Sequence, residues 1–110
     1  MQRGEVWWAA LPSPESPHPV VLLSPTRVMQ RRRRISVVPV TSTVRGLPTE
    51  VGLDERDGMR RPCVAAAHDV VTIDKRALLQ AITTLSDDRM ADIERALHVA
   101  LGIRLPCSAA

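Results

Sequence analysis

The sequence predicts a mainly β fold with one α-helix, a small twisted barrel of about five to six short strands plugged by a C-terminal amphipathic helix. Three observations carry this expectation. Runs of β-branched residues recur at strand length between breaks rich in proline, glycine and aspartate. The hydrophobic period lengthens to that of a helix in the last third of the chain. Finally, 110 residues that are 45% hydrophobic and 25% charged can build one core, so residues 1–110 are expected to form a single domain.

Gly4 to Leu11 reads as the first strand, on the β-propensity of Glu5-Val6-Trp7-Trp8, and the proline-rich stretch Pro12 to Pro19 reads as a loop that ends it. Val20 to Leu23 is a short unbroken apolar run, the pattern of a central strand buried on both faces. Met29 to Arg34 reads as a solvated basic connection. Ile35 to Thr41 is β-branched throughout, with Pro39 implying an edge or a bulge. Thr49 to Leu53 and Cys63 to Ala67 are two further strands, separated by the turn residues Asp57-Gly58. Lys75 to Leu79 fits a helical turn and Ala81 to Leu85 a last strand, with helix and strand templates matching this segment almost equally. Ser86, followed by Asp87 and Asp88, makes an N-cap with acids in the first turn, and Met90, Ile93, Leu97 and Leu101 trace one helical face up to Gly102.

Of the 15 cations 14 are arginine, and residues 1–61 hold ten cations against six acids, whereas residues 62–110 hold five against six. The positive field sits on the first half and peaks at Arg31, Arg32, Arg33 and Arg34. Two readings fit this pattern equally: a polyanionic partner, with arginine forks suited to phosphate, and an arginine-rich proteome that gives the same count with no functional meaning. Tyr and Phe are absent, which excludes recognition by ladders of stacking aromatics, as in RRM or cold-shock domains. Cys63 and Cys107 show no CxxC spacing, so zinc is not expected. With no leader-like segment and no apolar run of membrane length, the chain reads as cytoplasmic, with no membrane role.

Proton exchange at neutral pH points to the three histidines. His98, four residues after Glu94 on the closing helix, reads as surface pairing; His18 and His68 lie near strand ends, where sites are commonly built. Thr41-Ser42-Thr43, followed by Arg45, places hydroxyls and a cation at the end of a strand, a set able to grip a phosphate or simply to end the strand in a turn. The sequence holds no P-loop, GxSxG, HExxH or GxGxxG word.

Taken in order, Arg3-Gly4-Glu5-Val6-Trp7-Trp8, Val37-Val38-Pro39-Val40-Thr41-Ser42-Thr43-Val44-Arg45-Gly46-Leu47-Pro48-Thr49-Glu50-Val51, Thr72-Ile73-Asp74-Lys75 and the helix around Met90 closely resemble the MazF/PemK/Kid toxin family over about residues 2–103. The resemblance implies an SH3-like barrel, a homodimer and cleavage of single-stranded mRNA without metal or other cofactor, restrained by a cognate antitoxin. Thr41 matches the strand-end threonine that holds the scissile phosphate. Where the family carries an arginine before a proline after the first strand, this chain has His18-Pro19. His68 occupies a position that is acidic in many relatives. A histidine at each altered position raises the expectation that His18 and His68 divide acid and base roles around the 2'-hydroxyl and the leaving 5'-oxygen. The expected catalytic set is thus His18, Thr41 and His68, with Arg27, Arg31, Arg32, Arg33, Arg34, Ser42, Thr43 and Arg45 as RNA contacts. Two alternatives accompany this reading: a non-catalytic gyrase-binding toxin similar to CcdB, and a relative that binds RNA or antitoxin without cutting.

Overall fold

The computed structural model describes residues 1–12 and 16–104; Cys107 and the middle of the proline-rich loop fall outside them. Among the described residues seven strands are formed: β1 (Glu5–Ala9), β2 (His18–Leu22), β3 (Arg34–Thr41), β4 (Glu50–Leu53), β5 (Cys63–Ala66), β6 (Val71–Asp74) and β7 (Leu78–Thr84). Two α-helices accompany them, α1 (Thr26–Arg31) and α2 (Asp87–Leu101). The strands pair in the order β4-β5-β3-β2-β1-β7, every ladder antiparallel, and β6 joins β3 as well. β4 and β7 end the path without pairing to each other, so hydrogen bonds do not close the barrel.

β2 is central, as its unbroken apolar run predicts. Alternating side chains of β2 and β3 feed two cores. Val21, Val38 and Val40 pack with Leu53, Met59 and the α2 residues Met90, Ile93 and Ala96. Val20, Leu22 and Val37 pack on the other side with Ile35, Ile73 and Met29. Burying each such side chain contributes about 1.5–3 kcal/mol. The helix thus covers one face of the sheet, plugging it as expected. Its ends also match the sequence: Ser86 Oγ accepts the Arg89 N–H at 3.2 Å, and Gly102 stops the helix with a left-handed φ of 66°.

Several expectations are corrected. Met29–Arg34 is not a solvated connection: residues 26–31 form α1, Met29 is buried, and Arg34 already belongs to β3. Lys75, the chain's one lysine, donates from Nζ to the Met29 carbonyl at 2.6 Å and ties that helix down. The β6 strand was missed because only Ile73 of its four residues is buried, which leaves almost no alternation to read. His18 and Pro19 lie in β2 rather than in the loop. Pro39 makes no bulge against β2, and the expected edge is a local one, confined to the outer side of β3 at this residue. It falls between the stretch of β3 paired to β6, residues 34–37, and the stretch paired to β5, residues 40–41, where no outer neighbour requires its missing N–H. Glu94 bonds Arg3 at 2.9 Å instead of pairing with His98, whose buried Nδ1 has no hydrogen-bond partner among the described residues.

Candidate active site

β2 and β3 pair with Val20 opposite Pro39 and Val21 opposite Val38. Continued two residues past the end of the ladder, that register sets Thr41 opposite His18. Both line one cleft of about 770 Å³ at this end of the sheet, together with Ser42 and Thr43. Thr41 Oγ1 accepts the Thr43 N–H at 3.1 Å, a side-chain turn that ends the strand and leaves the hydroxyl proton available to a ligand.

The opposite wall comes from β1, β7 and the segment before β5. Adjacent strand residues point to opposite faces. Trp7 is therefore turned away and donates from Nε1 to Glu5 at 3.0 Å, while Trp8 lines the cleft and is 38% exposed. Gln80, the cross-strand partner of Trp8, lies on the same wall. Arg60 and Arg61 complete it from the connection that leads into β5. Cys63 also lines the cleft, but burial pushes its thiol up, with Asp57 and Asp54 adding to the shift, so it stays protonated and is a poor nucleophile. An imidazole, hydroxyls, fixed cations and an exposed indole in one trough can exchange a proton, hold a phosphate and stack a base.

The remaining candidates lie elsewhere. His68 sits on a 3₁₀ turn after β5, outside the cleft; its Nδ1 is 2.7 Å from Thr49 Oγ1 and its Nε2 is 3.5 Å from Asp69. The structure does not bring it to His18. Arg45 belongs to the loop after β3, where Glu50 accepts the backbone N–H groups of Arg45 at 3.1 Å and Leu47 at 3.1 Å. Partial desolvation opposes ionisation of Glu50, but bonds from Leu47, Arg45 and Gly46 together outweigh it and hold the carboxyl below its usual range. Arg31 ends α1 and Arg34 begins β3, about 23 Å along the strand from Thr41 at ~3.3 Å per residue. Arg33 pairs with Asp74 at 3.6 Å and Arg34 reaches the Thr72 carbonyl at 3.5 Å. Arg27 is exposed on the neighbouring α1.

The sequence reading missed Trp8, Gln80, Arg60 and Arg61 as wall residues. The available signal was the pair Arg60-Arg61 between the Asp57-Gly58 turn and a strand start, a common place for site residues. No described helix is long and apolar enough to cross a membrane.

Residues 2–101 match the family model for PemK-like, MazF-like toxins of type II toxin-antitoxin systems. The chain is 36% identical over 107 residues to the probable endoribonuclease MazF5 of Mycobacterium tuberculosis, covering 96% of this chain and 94% of that one. Its fold is similar to the Mycobacterium tuberculosis toxin MazF-mt6, with a TM-score of 0.85 and 28% identity over 92% of this chain and 99% of that chain. An endoribonuclease in complex with its cognate antitoxin, from a mycobacterial species, also scores 0.85, at 25% identity over 96% of this chain and 99% of that chain. With its sequence matching over residues 2–101 and its fold superposing on these structures, the chain belongs to the PemK-like, MazF-like toxins of type II toxin-antitoxin systems.

Proposed function

We propose that this toxin is an endoribonuclease that cuts single-stranded mRNA in the cytoplasm by attack of a ribose 2'-hydroxyl on the adjacent phosphate, with no metal or other cofactor. It acts as a homodimer of single-domain chains, and a cognate antitoxin restrains it by covering the cleft. The observation that carries this reading is the shared cleft of His18 and Thr41 in a chain of this family. His18 exchanges the proton of the 2'-hydroxyl or the 5'-oxygen, Thr41 hydrogen-bonds the phosphate, and Ser42 and Thr43 supply further donors. His68 acts from outside the cleft by holding Thr49 next to Glu50. Arg27, Arg31, Arg32, Arg33, Arg34 and Arg45 steer the rest of the strand electrostatically. The endoribonuclease relatives favour this reading over a CcdB-like gyrase binder or a non-cutting relative. The test is incubation of the purified protein with a long single-stranded RNA in EDTA. Discrete fragments with 2',3'-cyclic phosphate and 5'-hydroxyl ends are expected; intact RNA overturns the proposal.

A further inference from the structure

Attack of a 2'-oxygen on a phosphodiester crowds negative charge onto five-coordinate phosphorus, and donors fixed in advance around that charge lower the barrier most. An imidazole that gives or takes a proton during the reaction cannot also serve as a constant charge, and the hydroxyls of Thr41, Ser42 and Thr43 are neutral. Among the described residues lining the cleft, the permanent cations are Arg60 and Arg61.

These two guanidinium groups are also uncommitted. Arg3 pairs with Glu94, Arg33 and Arg76 with Asp74, Arg56 with Asp54, and Arg89 with Asp57 and Asp92. Neither Arg60 nor Arg61 bonds another described residue, and both are exposed.

Their backbone, by contrast, is fixed at both ends. Before them, Gly58 turns with a φ of 89°, and an added Cβ there would lie 2.2 Å from Thr83 Oγ1. Thr83 Oγ1 donates to the Asp57 carbonyl at 3.1 Å, and the Asp57 carboxylate, 8% exposed, accepts from Arg89 Nε at 3.1 Å. Met59 is then buried in the core. After the pair come Pro62 and the buried start of β5 at Cys63. Two uncommitted guanidinium groups on a backbone held at both ends, both lining the cleft, give an anion a forked donor set that no competing carboxylate occupies.

We propose that the Arg60-Arg61 arm grips the scissile phosphate and stabilises the transition state of the cleavage reaction, an inference that rests on the nuclease reading above. In that step the 2'-oxygen loses its proton to a base and bonds phosphorus, the bond from phosphorus to the 5'-oxygen breaks, and that oxygen takes a proton. The guanidinium groups donate hydrogen bonds throughout and end unchanged.

The full chain is assayed on a long single-stranded RNA in EDTA as the parent, R60A/R61A and R60K/R61K, with thermal melts of each. Once the parent's cut is mapped, a short RNA carrying a 2'-O-methyl group there reports binding without turnover. Saturated turnover of R60A/R61A should fall about 10²- to 10³-fold, with R60K/R61K intermediate because an ammonium lacks the fork. Guanidinium ion below denaturing concentration should restore the alanine variant by about tenfold, whereas sodium chloride at equal ionic strength should not. That rescue cannot come from a merely structural arm, and it stands even if the variant melts lower than the parent. Turnover of R60A/R61A within about threefold of the parent overturns the proposal and leaves the nuclease standing; equal response to both salts also overturns it. A parent that leaves RNA intact fails the nuclease reading and this proposal with it.

Discussion

His18 at the start of β2 and Thr41 at the end of β3 line one cleft, and the β2–β3 register, continued two residues beyond its last pair, sets the two positions opposite each other. That relationship makes their roles separable by mutation. Removing an acid-base imidazole costs about 10²- to 10⁴-fold in rate, so His18→Ala should lower kcat by that amount. Thr41→Val removes the hydroxyl while keeping its shape and should lower kcat by about 10²-fold, with folding stability changed by no more than ~1 kcal/mol for the lost bond from Thr43. Single-turnover cleavage and thermal melts check both; an unimpaired His18→Ala variant excludes the imidazole from the chemistry.

The two adjacent tryptophans separate by strand parity. Trp7 is held by Glu5, while Trp8 offers a partly exposed ring to the cleft. Stacking of one base contributes about 1–3 kcal/mol, so Trp8→Ala should weaken binding of an uncleavable RNA by roughly 5- to 150-fold, while Trp8→Phe keeps most of the affinity. In a Trp7→Phe background Trp8 is the one fluorophore left, and its emission should quench as RNA binds. Unchanged emission and affinity would remove it from the binding surface.

Much of this architecture was legible in the sequence because local and global signals agree. The apolar run of β2, the β-branched run of β3 and the Ser86 to Gly102 helix each follow from period and caps. The elements misread are those whose signal is weak: α1 has six residues and no side-chain cap, and β6 buries one side chain in four. His18 and Thr41, each singled out at a strand end, do share one cleft, whereas His68 lies outside it beside Thr49 and Asp69. Which residues share a cleft depends on the crossing from β5 to β3 and on the meeting of β1 and β7, pairings between distant segments that no local pattern encodes. Arg60 and Arg61 were invisible for the same reason.

Glu50 gives the loop after β3 a pH dependence. Its folded carboxyl titrates below its ordinary 4.5 because, against desolvation, backbone N–H groups of residues 45–47 bond the charged form. A depressed folded pKa contributes stability that is present above the unfolded value and is lost as pH falls through the folded one. Asp54, through the Arg56 side chain, and Asp74, through the Arg76 N–H, shift the same way from 3.8. Glu50→Gln should therefore melt below the parent at pH 7, and the gap should close as pH drops under about 4.5. A gap that stays constant across that window would show that the carboxylate does not organise the loop. Glu50 is only partly buried, so water screens its carboxylate and the expected change in melting temperature is small.

Gly58 and Gly102 share a left-handed backbone but not a neighbourhood. Gly102 has φ 66° and open space where a Cβ would go, whereas at Gly58, with φ 89°, the Cβ would meet Thr83 Oγ1 at 2.2 Å. Alanine at position 102 should cost only the left-handed strain, about 1–2 kcal/mol. At position 58 overpacking adds about 1–3 kcal/mol, because Thr83 is held by its bond to the Asp57 carbonyl and cannot yield. With each kcal/mol worth about 4–8 °C in a domain near this size, Gly58→Ala should melt at least ~4 °C below Gly102→Ala. Because Gly58 opens the arm that carries Arg60 and Arg61, its alanine variant should also lose cleavage at temperatures where it is still folded, and Gly102→Ala should not. Equal melting of the two variants would mean that the turn into this arm is not clamped against β7.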